Sequence, residues 1–162
     1  MQPTHPVRTL ADFTSSALIL PELRGRSMVE AMGELSQLLR QEDGSMSNLL
    51  HPAVKALNRE LLTSTALDAG ATFPEVRLPD AIRPRFAVGR AIASLLWRAA
   101  NFPPLEVIFL VVQPASVDAT GKALTAQLKR FGTDKQRVAR LREACDAREM
   151  LEVLRTERLV FA

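Results

Sequence analysis

The side chains able to do chemistry are few in this chain and unevenly placed. Cys145 is the only cysteine, and the two histidines, His5 and His51, both fall early. One cysteine closes no disulfide within the chain, and it cannot assemble a thiolate zinc site or a paired redox motif. A nucleophilic cysteine needs an imidazole beside it. His5 reads as part of a disordered tail and His51, before Pro52, as a helix-entry residue, so Cys145 is expected as a small residue on a helix. No metal-ligand spacing is present, and neither a metal nor a cofactor is expected. The hydroxyls of Ser64 and Thr65 can donate to a bound anion, but a Ser-Thr pair after a helix is also ordinary capping and turn chemistry. Asp68 and Asp80 bracket the centre and have the chemistry of acid and base groups, yet isolated loop aspartates are usually turn formers. Trp97 and Phe102 flank a turn, where packing is the simpler reading.

The elements that must position these residues follow from periodicity. Ser27 to Glu42 places Met28, Ala31, Met32, Leu35, Leu38 and Leu39 at helical spacing behind a capping serine, with Glu30 three residues on. A second helix is predicted from near Ser47 to about Thr63, with Pro52 in its first turns. Residues 66–84 change to Gly, Ala, Pro and short polar types, and Ala71 to Val76 is the one piece there with strand character. Phe86 to Ala93 and Leu105 to Val112 read as strands. The second is so continuously apolar that it belongs in the middle of a sheet, and Pro103 and Pro104 mark the turn between them. After Pro114 three helical pieces follow, carrying Leu124 to Phe131, then Val138 and Leu141, then Met150 to Leu154 behind a capping Asp146. Strands enclosed by helices in this order predict an α/β (α+β) domain with a mixed central sheet flanked by helices.

A chain of 162 residues with 47% apolar content buries one sizeable core and not two, so residues 1–162 are read as a single domain with its core at about 10–156. No run is long and apolar enough to cross a bilayer, and Met1 to Arg8 lacks the apolar stretch of a signal peptide. A cytoplasmic protein without membrane insertion is expected. The net charge of +3 does not identify a nucleic-acid binder, and 5% aromatic content with no tyrosine leaves little to stack bases on. The late cluster Lys129, Arg130, Lys135, Arg137, Arg140 and Arg142 reads as a solvated helix face.

The stretch Leu57 to Pro79, LNRELLTSTALDAGATFPEVRLP, resembles the enzyme IIA type-2 domains of the bacterial phosphotransferase system, which include fructose, mannitol and nitrogen-regulatory forms. The family pattern is an Arg-Glu pair, a Ser-Thr, a Gly-rich turn, then a short strand ending in Pro-His. Arg59, Glu60, Ser64, Thr65, Gly70 and Pro74 fall at the matching places. The likeness runs over nearly the whole chain and implies a phosphotransferase/anion-transport-protein-like fold. It also implies a role in passing phosphate from a phosphorylated histidine protein to a sugar transporter component, or in signalling by that phosphate state. The residue after Pro74, where the family carries its phosphorylated histidine, is Glu75. A second family histidine falls within Asp118 to Lys122, where this chain offers Thr120 or Gly121, and the two remain open.

Neutral imidazole has a lone pair near pH 7 and forms a phosphoramidate that can be handed on, whereas a carboxylate is a weaker nucleophile giving a labile acyl phosphate. The resemblance implies that Arg59, sixteen residues before Glu75, points at it, and an arginine fork matches a carboxylate as well as a phosphate. Arg59, Ser64, Thr65 and Thr120 are then the candidate binding residues around Glu75. Without the resemblance, an arginine and a glutamate in a loop-rich region are solvated residues worth little to stability. Three classes of function follow. The first is a regulatory or interaction module that has lost phosphate transfer and binds protein partners around Glu75. The second is a working phosphocarrier of the sugar phosphotransferase system using Glu75 or another acceptor. The third is a small-molecule binder or hydrolase with Glu75 as general base and Arg59 as anion clamp. The oligomeric state is left open.

Overall fold

The computed structural model describes residues 8–42, 53, 55, 56, 69–79, 81–95 and 105–161. Two 3-10 turns, Leu10–Phe13 and Ser16–Leu18, lead into strand β1 (Ile19–Leu23) and helix α1 (Met28–Glu42). Strands β2 (Ala71–Thr72), β3 (Glu75–Leu78), β4 (Arg85–Leu95) and β5 (Leu105–Pro114) follow, and α2 (Ala119–Thr133), α3 (Lys135–Glu143) and α4 (Ala147–Arg155) come last.

The sheet is mixed. β1 runs parallel to β4, β4 antiparallel to β5, and β2 and β3 both lie parallel to β5 along its far side. β5 is thus the central strand and is buried on both faces, which is why its sequence shows no alternation. Phe109, Val107 and Val111 face one core with Leu124, Leu128 and Phe131 of α2, Val138 and Leu141 of α3, and Met150 and Leu154 of α4. Ile108, Leu110 and Val112 face a second core with Ala31, Met32, Leu35 and Leu39 of α1. The result is a helix–sheet–helix sandwich of the predicted class. Phe109 is the centre of the first core, with the rings of Phe73, Phe86 and Phe131 at 4.7, 5.6 and 5.9 Å.

The predicted helix from Ser27 holds. The Ser27 Oγ accepts from Glu30 N at 3.1 Å, and the Glu30 carboxylate reaches back to Arg26 N at 2.8 Å. The predicted strand from Ala71 to Val76 is two strands, because Pro74 has no N–H to give the ladder. β1 was not foreseen, since Pro21 and Glu22 interrupt its apolar pattern; as an edge strand it tolerates both. Of the second predicted helix, Ala53, Lys55 and Ala56 are helical, with both alanines buried; the rest lies outside the described residues, as do Pro103 and Pro104. Cys145 is not on a helix. It sits exposed on the bend before α4, whose N-cap is Asp146. No helix among the described residues is long and apolar enough to cross a membrane.

Candidate functional site

The site begins at a glycine. Gly70 holds φ at 84°, a left-handed conformation that side chains disfavour, and its carbonyl accepts from Glu106 N and Val107 N at 2.8 and 3.0 Å. This pins the chain to the start of β5. Pro74 then accepts from Val111 N at 2.9 Å through its carbonyl, and β3 starts with Glu75 opposite Val111. Because side chains alternate along a strand, Glu75 faces α2 while Val76 enters the core under α1. Gln113, two residues beyond Val111, lies on the same face as Glu75 and one step diagonally from it.

The α2 helix completes the arrangement. Asp118 caps its first turn, accepting from Gly121 N at 2.9 Å. Gly121 and Thr125, one turn apart on one helix face, then overlie β5 and β3. The Glu75 carboxylate accepts through Oε1 from the Thr125 hydroxyl at 2.9 Å and from Gln113 Nε2 at 3.2 Å. Gln113 Nε2 also donates to the Gly121 carbonyl at 3.0 Å. A small cleft of about 80 Å³ opens beside Glu75, floored by Phe73, Val111 and Leu128 and edged by Thr125 and Lys129. The arrangement holds a partly buried carboxylate in one orientation beside an apolar floor.

No protein-family model matches the chain. A nitrogen regulatory protein of Bradyrhizobium diazoefficiens is 24% identical over 145 residues, 90% of this chain and 94% of that protein. The nitrogen regulatory protein IIA-Ntr of Neisseria meningitidis superposes with a TM-score of 0.72 at 22% identity, over 90% of this chain and 98% of that one. The fold is that of the phosphotransferase enzyme IIA domains. The mannitol enzyme IIA of Escherichia coli, in a complex with phosphorylated mannitol enzyme IIB, gives a TM-score of 0.59 at 16% identity, over 86% and 95% of the two chains.

Within this IIA-like fold the candidates separate. Glu75 is at the centre of the network above. Thr120 is not in it; it lines a different and larger cleft, about 550 Å³, with Arg8, Phe13, Arg83, Pro114 and Asp118 among its walls. Gly121 is the residue of that helical turn that meets the Glu75 network. Arg59, Ser64 and Thr65 lie outside the described residues, as do Asp68, Asp80, Trp97, Phe102, His5 and His51.

Gln113 and Thr125 were missed in the sequence. The available signal was slight: Gln113 is the polar residue that ends the apolar run of β5 just before Pro114, and Thr125 is four residues after Gly121. Away from the site, Arg90 of β4 and Arg142 of α3 tie the late helices to the sheet. The Arg90 guanidinium donates to the carbonyls of Leu141 and Arg142 at 3.3 and 2.8 Å and to that of Ala144, closing the C-terminal end of α3. Arg142 pairs with Glu106 at 2.8 Å.

Proposed function

We propose that this chain is a regulatory or interaction module on the enzyme IIA type-2 frame, of the nitrogen-regulatory kind, and that it does not carry phosphate. The observation that supports this is Glu75: a carboxylate stands where the resemblance places the phosphorylated histidine, and one of its oxygens is already engaged by Thr125 and Gln113. No histidine follows His51 to take over the role. A fixed carboxylate at that position imitates, with less charge, a domain that is always phosphorylated. Its partners are cytoplasmic proteins that read the Glu75 face, and the resemblance assigns Arg59, Ser64 and Thr65 as its further binding residues. The likeness to a nitrogen regulatory protein favours signalling over sugar uptake.

The experiment is incubation of the purified chain with phosphoenolpyruvate, the first enzyme of the phosphotransferase system and its histidine phosphocarrier, followed by intact mass. The expected spectrum is unchanged. A stoichiometric gain of one phosphoryl group would instead make the chain a working carrier of the sugar phosphotransferase system with an acceptor other than histidine at position 75.

A further inference from the structure

Gln113 is fully buried, and its amide has only one workable sense. The Gly121 carbonyl can only accept, so the amide edge turned toward it must be the NH₂ group, and that same Nε2 faces Glu75. The opposite atom, Oε1, is buried without a partner among the described residues. It rests against Gly121, where an added Cβ would stand 2.5 Å from Oε1 and 2.8 Å from Val117 Cγ1. The absence of a side chain at 121 therefore gives the amide its room. The Thr125 hydroxyl is adaptable, since it reaches both the Glu75 carboxylate at 2.9 Å and the Gly121 carbonyl at 3.2 Å. Gln113 Nε2 also lies 3.3 Å from the Thr125 hydroxyl, but whichever acceptor it turns to it can only donate.

We propose that Gln113 is a positioning residue that makes position 75 an acceptor-only position, with Gly121 supplying its room, so that this sheet edge suits a carboxylate and excludes a phosphate-accepting imidazole. This rests on the reading that the chain does not carry phosphate, and it deepens that reading: the loss resides in a matched set of Glu75, Gln113 and Gly121, not in one substitution. Neutral imidazole has one N–H and one lone pair, and the hydrogen bond made by one nitrogen decides the state of the other. Facing a fixed donor, the inner nitrogen of a histidine at 75 turns its lone pair inward, and the proton sits on the outer nitrogen. Transfer from a phosphohistidine protein needs the reverse. The acceptor's outward lone pair forms the new N–P bond while the donor's N–P bond breaks and the donor nitrogen recovers its electron pair. An outward N–H has no lone pair to offer.

The test compares Glu75→His with Glu75→His/Gln113→Leu, each labelled with ¹⁵N in histidine, His5 and His51 being identified from the wild type. Two-bond ¹⁵N–¹H spectra at alkaline pH report the tautomer. In the single variant one tautomer should dominate by about tenfold, the bias expected from one buried hydrogen bond, and intact mass after exposure to the phosphocarrier mixture should stay unchanged. In the double variant the bias should fall to that of free imidazole. Equal tautomer ratios in the two variants, or ready phosphorylation of the single variant, would overturn the proposal. Phosphorylation of the wild type would sink only the functional reading, because the tautomer comparison stands without it. Should the histidine variants fail to fold, the wild-type Gln113 side-chain amide resonance answers the same question. It should move when Glu75→Gln replaces the charged acceptor by a neutral one, and an unmoved resonance would overturn the role assigned to Gln113.

Discussion

A single methyl group at position 121 would collide with the amide that holds Glu75. Gly121→Ala should cost roughly 1–3 kcal/mol, the usual range for overpacking a filled site, and urea unfolding measures it. The cost should shrink in a Gln113→Ala background, because the two residues share one space and their effects then fail to add. Cys145 offers a second residue-scale expectation. A hydrogen bond to the Glu149 carboxylate, followed by the charge of that group, raises the pKa of its exposed thiol above the ordinary cysteine value. The thiolate is the reactive form, so alkylation by iodoacetamide at mildly alkaline pH should be slow and should speed up in Glu149→Gln. At this scale the sequence was partly legible. Glu75 is picked out by the resemblance alone, with Gly70 and Pro74 at its matching places, while the turn at Gly70 and the break at Pro74 act through the backbone and can be read from residue type. Gln113 could not be found that way: its role depends on which strand lies beside β5 and which helix crosses it.

Helix ends show where local signals suffice and where they do not. Asp134 terminates α2 and caps α3, accepting from Gln136 N and Arg137 N at 3.0 and 3.2 Å. Asp134→Ala should therefore cost about 1 kcal/mol in thermal or urea unfolding, the usual loss of a cap. The Asp146 cap of α4 was legible because capping needs only a short polar residue before a periodic segment. The C-terminal end of α3 is closed by Arg90, some fifty residues earlier, and no local pattern announces it. Arg90→Met keeps the length of the side chain but removes the donors, and should destabilise by about 1.5–3 kcal/mol, as expected for hydrogen bonds from a charged group. Hydrogen exchange should then quicken first at the end of α3. The strands divide in the same way. β5 announces itself by burial on both faces, whereas β1 is recognised only once β4 is beside it.

At the scale of the whole molecule, the first and last described segments, residues 8–10 and 157–159, form one seam. Leu10 N donates to the Glu157 carbonyl and Leu159 N to the Arg8 carbonyl, both at 2.9 Å, and Thr9 bridges antiparallel to Arg158. Glu157, only 5% exposed as a residue, accepts through its side chain from Gln127 Nε2 at 3.0 Å and Arg137 at 3.1 Å, tying this seam to α2 and α3. Glu157→Ala strands the buried Gln127 amide and should lower stability by about 1–3 kcal/mol, with the amides of Leu10 and Leu159 losing exchange protection together. Such a seam also sets how the gene for this fold can be rearranged. With residues 9 and 158 already paired, a short peptide can join them, and new ends can be opened at an exposed turn elsewhere. A circularly permuted form, or one spliced into a surface loop of another protein, should keep the Glu75 network intact while presenting it from a different attachment point.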